Sequence, residues 1–238
     1  MLCRGRFEGR SNVNRFVRSA LAPASYALVA TACLNAPALA HPHIFAEASL
    51  EVVVAADATL ESLRHVWRFD DLFSSTVLLE FDANSDLVLS HEELEAVASV
   101  IHESLGEFDY FQFVSADGKS VEMRTPDRIV ALFDDHQLTI LFESGPASPL
   151  PLQGKLEFGV YDPTFYTAID FYQDENLTVS NLPETCTTQV VRPDPDEAIA
   201  MNQQSLTDAF FNDPMGVDYS KLFATRLELN CPTKGVKS

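Results

Sequence analysis

Apolar and polar residues alternate from Ile44 to Val54, with Ile44, Ala46, Ala48, Leu50, Val52 and Val54 on one side and Glu47, Ser49 and Glu51 on the other. A period of two puts successive side chains on opposite faces, so the segment reads as a half-buried strand. After the turn Ala55-Ala56-Asp57, Leu63, His65, Trp67 and Phe69 share a side with Arg64 and Arg68 opposite, which predicts a second strand and a hairpin over 44–69. Asp70 stands where a helix N-cap belongs, ahead of a short helix through Leu79 to Phe81. The period becomes helical over about 91–106, where Leu94, Val97, Ala98, Ile101 and Leu105 recur before Gly106.

Beyond that helix the two-residue period returns. Phe111–Val114 and Val121–Met123 flank Ala116-Asp117-Gly118-Lys119, and Ile129–Phe133 and Leu138–Phe142 flank Asp134-Asp135-His136-Gln137, which predicts two more hairpins. Gly145 to Pro151 reads as a loop, and Lys155–Tyr161, Ala168–Tyr172, Leu177–Val179, Cys186–Val191 and Leu222–Cys231 read as strands. A helix over about 195–211 follows Pro193-Asp194-Pro195. Many short strands with two helical inserts predict a mainly β (α+β) fold, an antiparallel β-sandwich-like domain with an EF-hand-like insert at 70–106.

The first forty residues stand apart from this pattern. Arg4, Arg6, Arg10, Arg15 and Arg18 face a single acid, Glu8, and precede an apolar run from Ala20 to Ala32; Ala38-Leu39-Ala40 then offers small side chains to a signal peptidase. The reading is a signal peptide over 1–40, cleaved after Ala40, and one exported domain over 41–238. Ala30 is a poor first residue for a lipoprotein site ending at Cys33. No later segment is apolar for long enough to insert in a bilayer.

Charge narrows the partners. The chain has 16 Lys and Arg against 35 Asp and Glu, a formal charge of −19, and loss of the leader takes it to about −23. Such a surface disfavours nucleic acid and anionic membrane. Of four cysteines, Cys3 and Cys33 leave with the leader, so Cys186 and Cys231 are expected to pair as a disulfide.

Two places carry ligand chemistry. Residues 82–93 put oxygen donors in the register of a calcium loop: Asp82, Asn84, Asp86, the Val88 carbonyl, Ser90 and Glu93, with Leu89 as the apolar anchor and a helix following directly. Leu87 occupies the position where glycine normally supplies φ > 0, which weakens the expected calcium binding. The other place is the new N-terminus, His41-Pro42-His43. Its free amine and imidazole rings are nitrogen donors for copper, nickel or zinc, and His65 or a carboxylate such as Asp162 could complete the set. His91, His102 and His136 read as exposed helix or turn residues.

Taken together, His41-Pro42-His43-Ile44-Phe45, Trp67-Arg68-Phe69-Asp70, the Asp82–Glu93 loop, Phe108-Asp109-Tyr110-Phe111, Tyr161-Asp162-Pro163-Thr164-Phe165-Tyr166 and Phe223-Ala224 to Cys231 resemble the exported family called domain of unknown function 1007. Members are usually described as the periplasmic component of an uncharacterised ABC-type transport system, many of them associated with nickel/cobalt-type membrane exporters. The resemblance implies a periplasmic metal-binding accessory or solute-binding component that works with a membrane metal transporter or permease and is not an enzyme. A copper histidine-brace enzyme and a calcium-stabilised interaction module are the alternatives.

Overall fold

The hairpin over 44–69 forms as its alternation dictates and becomes the centre of a sheet. The structure, a computed structural model, describes residues 42–212 and 220–233. In chain order the elements are β1 (Ile44–Val54), β2 (Leu60–Phe69), α1 (Asp71–Phe81), α2 (His91–Gly106), β3 (Gln112–Ala116), β4 (Lys119–Ser120), β5 (Ile129–Asp134) and β6 (Gln137–Ser144). They continue with β7 (Gly154–Val160), β8 (Thr167–Asp170), β9 (Leu177–Ser180), β10 (Thr187–Val191), α3 (Pro195–Asn212) and β11 (Arg226–Cys231). Residues 1–41, with the predicted leader, Cys3, Cys33 and His41, lie outside the described residues.

One sheet runs β5-β6-β2-β1-β8, with β9 also on β1; the other runs β10-β11-β7-β3-β4. Their inner faces form the core. Leu63, Trp67 and Ile140 of the first and Leu156, Phe158 and Leu229 of the second are each no more than 1% exposed. Trp67 stacks on Phe111 with ring centroids 6.2 Å apart. Ser144 Oγ donates to Gln112 Oε1, a hydrogen bond between the two sheets. The fold is therefore mainly β and sandwich-like, as the alternation predicts, with three α-helices among the described residues.

Four details depart from the sequence reading. β8 and β9 run parallel to β1, because the chain reaches them from β7 in the opposite sheet and so enters by a crossover, where a hairpin would have reversed it. Val121–Met123 is not a strand: Asp117 and Gly118, at φ 47 and 76, close a tight turn after Ala116, and past Val121, whose amide still donates to the Val114 carbonyl, the chain leaves to bond with the Gly145–Ala147 segment. β3 starts only at Gln112, after a left-handed turn. Ser220–Phe223 forms a 3-10 turn that delays β11 to Arg226.

α1 and α2 pack against the β5–β6 edge. Ser74 on α1, fully buried, accepts from the Leu138 amide at 2.9 Å, and Gln137 donates to Asp71. Cys186 and Cys231 are bonded, joining the residue before β10 to the end of β11 as expected.

Candidate functional site

The start of β1 is held from two sides. The amides of His43 and Ile44 donate to the Tyr166 carbonyl at 2.8 and 3.2 Å, and Ile44 is registered with Thr167 of β8. The Phe45 amide donates to Asp70 Oδ2 at 2.9 Å, and the Asp70 amide returns a bond to the Phe45 carbonyl. The other oxygen of Asp70 accepts from the amides of Leu72 and Phe73, so one carboxylate caps α1 and clamps the strand. The His43 backbone is thus fixed while its side chain is exposed, its ring 4.9 Å from that of Tyr166. Tyr166 carries no ligand signal of its own in the sequence, although it lies in the Tyr161–Tyr166 segment on which the family resemblance rests.

Asp162 sits in the turn that delivers Tyr166, and it is only 5% exposed. Its Oδ1 accepts from the Thr164 amide and hydroxyl, both at 2.7 Å, and its Oδ2 accepts from the Thr167 amide at 2.8 Å. These bonds shape the turn and leave the carboxylate little capacity for a cation. The tertiary structure therefore brings the Asp162 turn beside His43, with Asp162 itself engaged in forming that turn.

His65 is placed elsewhere. It stands opposite Leu50, six residues along β1 from Ile44 and so about 20 Å away at strand rise. That distance rules it out as a partner of His43. It is a core residue, stacked on Phe142 at 4.4 Å and edge-on to Trp67 at 6.2 Å. Neither ring nitrogen has a hydrogen-bond partner. Burial pushes its pKa down to about 3, with the Gln112 side chain opposing weakly. Among the described residues no three His, Cys, Asp or Glu side chains converge so as to hold a metal ion. For a terminal chelate they supply the His43 imidazole, and the amine and ring of His41 lie outside them.

The Asp82–Glu93 loop keeps the backbone of a calcium loop. Leu87 takes φ 64, the conformation reserved for glycine at that position. Asp82 accepts from the amides of Asp86 and Leu87, Asn84 Oδ1 from Asp86, and Asp86 Oδ1 from Val88. Glu93 accepts from the amides of Ala83 and Ser90, both at 2.8 Å, and Ser90 completes a capping box. Those amides hold the Glu93 carboxyl below its usual pKa. The register of donors fits a calcium ion, and in this arrangement both Glu93 oxygens accept from backbone amides.

Leu87 is 66% exposed, so replacing it forfeits almost no burial. Leu87→Gly is expected to raise stability by about 0.5–1 kcal/mol, the relief of left-handed strain less the added freedom of the unfolded chain. Chemical denaturation in the presence of EDTA checks this, and an unchanged or lower midpoint would contradict it.

The remaining histidines divide. His91, its Nε2 3.3 Å from a Glu95 carboxylate oxygen, and His136 in the β5–β6 turn are exposed as expected. His102 is not: it is half-buried, its Nε2 2.8 Å from the Pro126 carbonyl and its ring edge-on to Tyr110. That contact depends on Asp109, Tyr110 and Phe111, all at φ between 50 and 56. No residue pattern announces three left-handed non-glycine residues; burial of Tyr110 and stacking of Phe111 on Trp67 offset their strain.

The family model described as protein of unknown function DUF1007 matches residues 26–231. An uncharacterized protein of Haemophilus influenzae is 23% identical over 213 residues, covering 87% of this chain and 98% of its own length.

Proposed function

This chain belongs to the DUF1007 family, and on that footing we propose that it is a periplasmic metal-binding accessory, or solute-binding component, of a transition-metal transport system, with His41 and His43 as ligands. The observation that carries the proposal is the clamped start of β1: the His43 backbone is bonded to the Tyr166 carbonyl and its neighbour Phe45 to Asp70. A chelate needs ordered donors, and ordering them beforehand lowers the entropic cost of binding. Cleavage after Ala40 would supply the amine and ring of His41; the His43 ring, exposed beside Tyr166, would be the third nitrogen. Such a set suits nickel, cobalt, zinc or copper. Its ligands must be deprotonated, so affinity falls with acidification. The implied partner is a membrane transporter or permease, with this chain delivering or withdrawing the ion and performing no chemistry on it.

The test begins with the mass of the secreted protein and proceeds to calorimetric titration with nickel, cobalt, zinc and copper. One ion per chain is expected, at least tenfold weaker in His43→Ala and in a form carrying an extra residue before His41. Equal binding by all three would overturn the proposal.

The calcium reading has its own support in the glycine-like backbone at Leu87 and the intact donor register of the loop. A rise in melting temperature with millimolar calcium, lost in Glu93→Gln, is the expected sign that the loop takes the ion.

A further inference from the structure

The helix–loop–helix segment has a surface that folding does not account for. α1 turns Val77 to the core and half-buries Phe73, Leu78 and Phe81, but Leu72 and Leu79, two turns apart on the opposite side, are 76% and 75% exposed. In the loop that follows, Leu87 and Val88 are 66% and 64% exposed. Leu87 is doubly anomalous: its backbone is in the left-handed region and its side chain gains almost no burial. Glycine or asparagine would satisfy that backbone without strain.

The charge around these side chains defines what would cover them. From Asp70 to Glu107 the chain has ten Asp and Glu residues and neither Lys nor Arg. Exposed leucines on a segment whose charged side chains are all carboxylates are complementary to apolar side chains flanked by cations. They repel an acidic partner and an anionic lipid surface. We infer that the outer face of α1 together with the Leu87–Val88 tip docks a basic amphipathic segment of another protein, one with apolar residues at helical spacing flanked by Lys and Arg. With four apolar anchors the contact is small and suits transient, micromolar binding. The inference requires neither His41 nor His43, so it stands apart from the metal proposal.

The probe is a fluorescein-labelled 18-residue helix with leucine on one face and lysine on the other, titrated with the secreted protein and followed by anisotropy. Two control peptides replace its leucines by serine or its lysines by glutamate. Binding of the leucine–lysine peptide is expected to be at least tenfold tighter than that of either control. It should weaken at least tenfold in the Leu72→Ser/Leu79→Ser variant at unchanged melting temperature, and about threefold in Leu87→Gly, whose backbone is relieved. His43→Ala should bind like the unaltered protein. Three results would each overturn the inference: equal affinity of the Leu72→Ser/Leu79→Ser variant, equal binding of the serine–lysine peptide, which would mean charge attraction alone, or equally tight, leucine-dependent binding to phosphatidylcholine vesicles.

Discussion

Lowering the pH from 7 to 5 is expected to cost this protein about 2 kcal/mol of stability through His65 alone, rising to about 4 kcal/mol near pH 3. The ring is buried between the sheets, 1% exposed, with both nitrogens unpartnered and its pKa near 3 against an ordinary 6.5. In the unfolded chain the imidazole takes up a proton as pH falls through about 6.5; in the folded chain it stays neutral until about 3. The unfolded state therefore binds the extra proton, and stability, complete above the upper value, is lost progressively across that window. Carboxylate titration adds its own slope, so the measurement is a comparison. Denaturation midpoints of the unaltered protein and of His65→Leu, which is similar in volume and without charge, should diverge by about 2 kcal/mol between pH 7 and 5. Parallel curves would show that His65 does not feel the burial assigned to it.

Removing the Cys186–Cys231 bond is expected to cost about 3–4 kcal/mol. The bonded residues are 45 apart in sequence, and the link restricts the unfolded chain over that whole length. It also secures β10, an edge strand whose residues are at most half-buried and whose pairing is to β11 alone. The Cys186→Ala/Cys231→Ala variant should therefore unfold at lower denaturant, with limited proteolysis beginning between Thr187 and Arg226. Both sulfurs are on buried residues, so reductant added to the folded protein should act slowly, through opening of that edge. Should the variant match the parent in both midpoint and cleavage pattern, the bond would be ornamental to this fold.

Periodicity alone located most elements. The alternation over 44–54 and 63–69, the spacing of Val97, Ala98, Ile101 and Leu105, and the turns at 117–118 and 135–136 are local signals, because which side chains can be buried follows from their spacing and which turns can close follows from Asp-Gly and its like. The calcium-loop register was legible for the same reason: all its donors lie within one dozen residues. The disulfide was legible by count, since the predicted cleavage leaves two cysteines.

Only long-range contacts could settle the rest. The parallel placement of β8 and β9 follows from the chain crossing between sheets, a matter of which end of β1 is reached first, and no pattern within Thr167–Ser180 encodes it. His43 and Asp162 are more than a hundred residues apart, and their roles separate only when the Asp162 turn closes on its own amides and leaves Tyr166 against the histidine ring. His65 shows the same limit. Its alternation marks it as inward-facing, but what an inward imidazole meets depends on the opposite sheet, and here that sheet presents the Gln112 side chain, whose Oε1 accepts from Ser144. Burial can be read from spacing along one strand, whereas hydrogen-bond satisfaction and ligand convergence depend on two or more segments meeting in space.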